Sequence, residues 1–189
     1  SKDVMPITGS EQVTVIDSSE IAEMRVADTR IVDDMTTLLA YLQLHAPLLN
    51  DDALSAADGD ALAKHLLKPD PARLPFLIGI GISADLVEVQ AGKAYPKRAE
   101  VRRWLSAPRA AQVQELAAAW RGSTAYRDLW HVPGLHPDPG GELDEYDAAV
   151  ARENFLELLA DGAPKQEWWS LEALIETVKA TDPDFQRPG

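Results

Sequence analysis

Between residues 70 and 98 the apolar positions change period part-way along the stretch. Leu74, Leu77, Ile78 and Ile82 recur at i, i+3, i+4 and i+8, the spacing of one helix face. The helix begins between Pro71 and Pro75, and the later start is preferred because proline suits only a first turn. From Leu86 to Gln90 the pattern becomes β-rich, and the alternation of Val87 and Val89 around Glu88 predicts one buried and one wet face. Ala91-Gly92 supplies a tight turn, after which Lys93-Ala94-Tyr95 pairs back before Pro96. Two helices precede this unit. The first follows Asp28-Thr29 and runs to about His45, with Val32, Met35, Leu39 and Leu42 as its stripe and Pro47 as its stop. Asp33 and Asp34 sit in its first turn, where the helix dipole favours anions. The second is predicted from Ala61 to Leu67, capped by Asp60, with Leu62, Leu66 and Leu67 turned inward and Pro69-Asp70-Pro71 ending it.

Downstream, Val101, Trp104 and Leu105 mark a short helix, and Ser106-Ala107-Pro108 reads as a fresh start with Ser106 as cap. Val113, Leu116, Ala117 and Trp120 form the next stripe, which Gly122 ends. The chain from Ser123 to Glu142 is rich in Pro and Gly, with a brief strand at Leu129–Val132. A further helix is expected from Asp144 to Ala160, carrying Ala151, Phe155, Leu158 and Leu159 on one face. In the last helix Ser170 is the cap, Leu171, Leu174, Ile175 and Val178 the stripe, and Trp169 with Leu174 a hydrophobic staple. Residues 1–20 lack a sustained apolar period and read as a flexible tail, although Val13, Val15 and Ile16 suit a brief strand; Ala22–Val26 suits another.

The fold class is therefore mostly α with a small β-hairpin. Helices feeding into a two-stranded hairpin are in the order of a winged helix, placed at 21–105. Residues 106–189 repeat the helical order without a wing, so the arrangement is winged-helix-like and tandem, the second unit truncated at its C-terminus. The parallel is one of element order, without a residue-by-residue repeat.

Composition narrows the chemistry. The 189 residues contain no cysteine, which removes disulfides, thiolate nucleophiles and Cys-ligated zinc and fits a reducing cytoplasm. No apolar run approaches the ~20 residues of a membrane-spanning helix. The opening Ser-Lys and closing Arg-Pro-Gly suggest a piece of a longer intracellular protein. Gly79-Ile80-Gly81-Ile82-Ser83-Ala84 matches the letters of a dinucleotide fingerprint, but a strand follows it where a helix is required, and no cofactor is expected. The two glycines each weaken the helix by about 1 kcal/mol relative to alanine, and close packing is the commoner reason for them. His131 and His136 with Asp138 and Asp144 are poorly aimed as metal ligands in a proline-rich loop, and Asp51, Asp52, Asp58 and Asp60 match a calcium loop only loosely. Neither a nucleophile elbow nor a phosphate-binding Gly-Lys-Ser/Thr loop is present. No metal, cofactor or catalytic residue is assigned, and the chain is read as non-enzymatic.

Charge placement is more informative than its total of −13. Over 93–109 the six basic residues outweigh Glu100 by five, leaving −18 for the rest of the chain. Screening limits the reach of that opposing charge to about 8 Å at physiological salt. Arg73, Lys93, Lys97, Arg98, Arg102 and Arg103 are accordingly the candidates for contact with a nucleic-acid backbone. The third helix argues against base reading: between Pro75 and Ala84 it offers only Ser83 as a polar side chain. Helical spacing accounts for Trp120 and the staple for Trp169; Trp130 and Trp168 are left as candidate partner-binding anchors.

The run QVQELAAAWRGSTAYRDLWHVPGL at 112–135, followed by WWSLEALIETV at 168–178, resembles segments of uncharacterised bacterial proteins that carry winged-helix domains related to helicase-associated modules. The resemblance implies a DNA-related or assembly role, with further winged-helix structure continuing from the last helix. It brings no catalytic motif and no site residues. Two functions are thus expected of the chain. The leading one is protein–protein interaction or assembly, with a protein partner or flanking domains of the same chain. The alternative is accessory, sequence-independent contact with a nucleic-acid backbone through the basic wing.

Overall fold

Helix α1, Arg30–His45, carries the stripe on which everything else is laid. In the computed structural model, which describes residues 15–16, 28–50, 53–128, 148–162 and 168–169 with single positions at 176 and 180, its Val32, Met35, Leu38, Leu39 and Leu42 are all buried. The helix stops as Ala46 turns left-handed, at φ 43°, and returns its N–H to the Leu42 carbonyl, one residue before Pro47.

The chain then turns through a hairpin that the sequence reading missed. Strands β2 (Leu49–Asn50) and β3 (Ala53–Leu54) pair antiparallel. They lead to α2, Ala56–Ala63. This helix begins five residues earlier than expected, and its cap is Ser55 rather than Asp60. The cause is a reciprocal bond: the Asp58 N–H donates to the Ser55 hydroxyl at 3.1 Å, and that hydroxyl donates to the Asp58 carboxylate at 2.7 Å. Tyr41 of α1 donates to the same carboxylate at 2.7 Å, tying the two helices. Leu62 and Leu66 point inward as expected, but Leu67 is exposed, and it is its backbone N–H that meets the core, donating to Asp34.

Helix α3, Arg73–Ser83, takes Pro75 into its first turn, where a missing N–H costs no helical bond. Strands β4 (Val87–Gln90) and β5 (Lys93–Pro96) follow in the expected register, Val87 opposite Pro96 and Gln90 opposite Lys93. Ala91 and Gly92 take φ of 51° and 75°, the two left-handed residues of a hairpin turn whose twist matches the strands. Val87 is buried, but Val89 is 44% exposed because it lies at the outer end of the strand. On the other side of β5 runs the 47–49 segment. Leu48 bridges Lys93, the Leu49 N–H donates to the Gly92 carbonyl at 2.8 Å, and the Ala94 N–H donates to the Pro47 carbonyl at 2.9 Å.

Helices α4 (Arg98–Leu105) and α5 (Arg109–Arg121) complete this part. Trp104 is fully buried while Leu105 is exposed. Ser106 does not cap α5. Its hydroxyl donates back to the Arg102 carbonyl at 2.8 Å and closes α4, and Pro108 stands at the α5 N-cap without a side-chain bond. The two helices are stitched by a reciprocal pair, Trp104 Nε1 to the Gln112 carbonyl and Gln112 Nε2 to the Trp104 carbonyl. One apolar cluster crosses the boundary expected at 105/106: Leu116 and Tyr126 join Leu77, Ile80 and Met35 in it.

Beyond α5, α6 (Ala148–Gly162) falls on the helix expected at 144–160 and runs two residues further. Its Arg152, which no apolar pattern announces, is 5% exposed and reaches the carbonyls of Trp120, Ser123 and Tyr126, the Asp128 carboxylate and the Trp120 ring. Strand β1, Val15–Ile16, pairs antiparallel with β6, Trp168–Trp169, so this much of the expected tail is strand. The expected strands at 22–26 and 129–132, the body of the last helix and its staple lie outside the described residues. The architecture is mostly α-helical with two small hairpins.

The glycines of α3 are packing residues. A Cβ at Gly79 would lie 2.8 Å from the Tyr126 Cβ and 3.2 Å from its Cα; one at Gly81 would meet Val87 Cγ2 at 2.8 Å. Gly79→Ala therefore loses about 1–3 kcal/mol despite the better helix propensity, because the opposing atoms belong to or adjoin backbone. Gly81→Ala loses less, since only a side-chain methyl must give way; urea unfolding of the two variants checks the order. Arg73→Ala costs about 3 kcal/mol or more by the same measurement, because it leaves the fully buried Asp34 without its cation.

Candidate functional site

The six cations nominated for backbone contact separate into two groups according to whether an acid has claimed them. Arg73, at the first residue of α3, points inward. Its Nε donates to Asp34 Oδ2 at 2.9 Å, and its terminal nitrogen lies 2.8 Å from the same oxygen, whose carboxylate also accepts from the Leu67 N–H at 2.6 Å. It is a half-buried partner of the core, and Asp34 is a buried anchor, leaving Asp33 as the first-turn acid of α1. Lys97, between β5 and α4, pairs with Asp85, a residue at φ 60° just past α3. That carboxylate raises the Lys97 ammonium above its ordinary value.

Arg103 is held by two acids. It reaches Glu100 one helical turn back at 3.0 Å and Glu115 of α5 through both terminal nitrogens, at 3.0 and 2.6 Å. A bidentate pair of this kind fixes orientation as well as charge. Arg109, the sixth cation of the basic stretch, spans back to the start of α1. It binds both Asp33 oxygens, at 3.0 and 2.6 Å, and the hydroxyl and carbonyl of Thr29 at 2.9 and 2.8 Å.

Lys93, Arg98 and Arg102 remain. All three are exposed, and among the described residues none makes an ion pair. Lys93 stands beside the Ala91-Gly92 turn, its backbone paired with Gln90 and bridged to Leu48. Arg98 and Arg102 are one turn apart on α4 and so share a face. The basic stretch is therefore half internal glue and half open charge. The sequence could not separate the two, because the claiming acids Asp33, Asp85 and Glu115 lie up to 76 residues away; Glu100, at i−3 from Arg103, was the one local signal.

The middle of α3 offers nothing to a groove. Leu77 to Gly81 are buried, with α5 and the segment ending at Tyr126 laid over the Gly79 side. The Ser83 hydroxyl, the one polar side chain between Pro75 and Ala84, is occupied with the Gly79 carbonyl and with Ser123. Of the partner candidates, Trp168 lies in β6 and Trp130 lies outside the described residues. Among the described residues, no group of three or more His, Asp or Glu is placed to hold a metal ion, and no helix is long and apolar enough to cross a membrane. Comparison with protein-family models, with curated proteins and with solved structures gave no match.

The Arg109 guanidinium holds the Asp33 carboxyl below its ordinary range. A carboxylate lowered in the folded state adds stability above its unfolded value, about 4, and loses it as pH falls through the lower folded value. Acid unfolding followed by circular dichroism should thus fall less steeply below that pH in Arg109→Gln than in the parent chain.

Proposed function

We propose that this chain is a winged-helix-like module that works by binding protein, without chemistry of its own. The element order supports the winged-helix reading: α1, a strand-like strip at 47–49, α2, α3, then β4 and β5, with the strip lying against β5 as a third strand. The second half enters as an extension, since α5 shares the first unit's core. The relation to helicase-associated modules belongs to the same reading and points to an assembly role.

The observation that carries protein binding over groove reading is the cover on α3. Tyr126 is pressed against Gly79, where no side chain fits between them, and Leu77 to Gly81 are buried, so the middle of the helix that would enter a major groove is covered. The net charge of −13 works in the same direction, repelling an extended polyanion.

Accessory contact with a nucleic-acid backbone is the second reading. Lys93, Arg98 and Arg102 support it, as cations without an ion pair among the described residues in a chain where acids outnumber bases 31 to 18. Titration of labelled duplex and single-stranded DNA at low salt separates the two. The protein-binding reading expects no detectable complex. Sequence-independent binding that weakens steeply with salt, and is lost in Arg98→Ala with Arg102→Ala, would establish the second reading instead.

A further inference from the structure

Helix α4 is anchored on one side and open on another. Trp104 is fully buried and bonded to α5, which fixes the helix in place. At about 100° per residue, Arg98, Arg102 and Leu105 fall within an arc of about 60° that runs alongside the buried Trp104–Val101 side. Both arginines are exposed, and neither makes an ion pair among the described residues; Leu105 is 47% exposed. Arg103, on another side of the helix, is occupied by Glu100 and Glu115, so those two acids are engaged away from the open face.

We propose that this face of α4 is a docking surface for an acidic, leucine-bearing segment of a partner protein. The inference rests on the protein-binding reading above and gives that reading a location and a partner chemistry. Charge complementarity sets the sign: two guanidiniums one turn apart match carboxylates one turn apart on a helical partner. Leu105 sets the class. A phosphate backbone gains little from an exposed leucine at the end of a basic stripe, whereas an amphipathic acidic segment buries its own apolar side chain there and keeps its acids on Arg98 and Arg102. The helix needs no ordering to bind, because its buried side already holds it.

The test uses the full chain and three labelled probes: a peptide with glutamates and leucines on one helical face, a polyglutamate peptide of equal length, and duplex DNA. Fluorescence anisotropy should show the glutamate–leucine peptide bound roughly tenfold more tightly than polyglutamate, the difference made by burying an apolar anchor. Arg98→Glu with Arg102→Glu should abolish that binding, and Leu105→Ala should weaken it several-fold towards the polyglutamate level. Reversing Lys64 and Lys68, two lysines also without an ion pair among the described residues, should leave it unchanged. Circular dichroism of each variant should match the parent, since every substituted side chain is exposed or partly so. Equal binding of the two peptides, or an equal loss from the Lys64 and Lys68 reversals, would overturn the proposal. If neither peptide nor DNA binds, the surface is wrong while the protein-binding reading stands. Preference for DNA over both peptides would overturn both.

Discussion

A buried carboxylate and a single arginine hold the first three helices in register. Asp34 is completely enclosed, and an enclosed charge is tolerated only when it is paired and its remaining lone pairs are used. Arg73 and the Leu67 backbone N–H do this together. The geometry fixes three things at once: the rotation of α1, the path of the chain leaving α2, and the start of α3 between two prolines. The apolar stripes of α1 and α3 give a general attraction between the helices. The ion pair selects one alignment among the several that attraction would allow.

From that alignment the remaining packing follows at short range. Two glycines in α3 let other parts of the chain come close, Tyr126 on one side and Val87 of β4 on the other. The hairpin thereby rests against α3, and its second strand gathers the strip that leaves α1. Helix α4 then swings back and is joined to α5 through Trp104 and Gln112. Arg152 plays a corresponding part further along, where it collects three carbonyls from the end of α5 and the chain just beyond it and ties them to α6.

The elements with a local signature were legible in the sequence. Helix α1 was marked by its stripe and by Pro47, and β4–β5 by alternation around Ala91-Gly92, so both were placed to within a residue or two. The start of α2 was misplaced because the acidic run offered several caps, and the Ser55–Asp58 pair was passed over for Asp60. The alternation places Val89 inward with Val87, yet it lies towards the outer end of its strand, where the core has run out. The candidate cations were legible as a cluster but not as individuals. Whether Arg103 or Arg102 is open depends on Glu115, which only folding brings near. Arg73 shows the same limit: a basic side chain beside a helix start looks like a surface residue until its buried partner is known.

The joining of α5 to α1 through Arg109 also has a consequence for the order of events during synthesis. Thr29 and Arg109 are separated by 80 residues, and the exposed contact between them joins α5 to the start of α1. Contacts of such separation form late, since loop closure must precede them. A chain emerging from the ribosome can close α1, α2 and the hairpin on one another early. The Gly79 side of α3 stays bare until Tyr126 has been delivered, so the nascent chain carries an apolar strip in the interval. Such a strip is the usual target of chaperones and of misassembly.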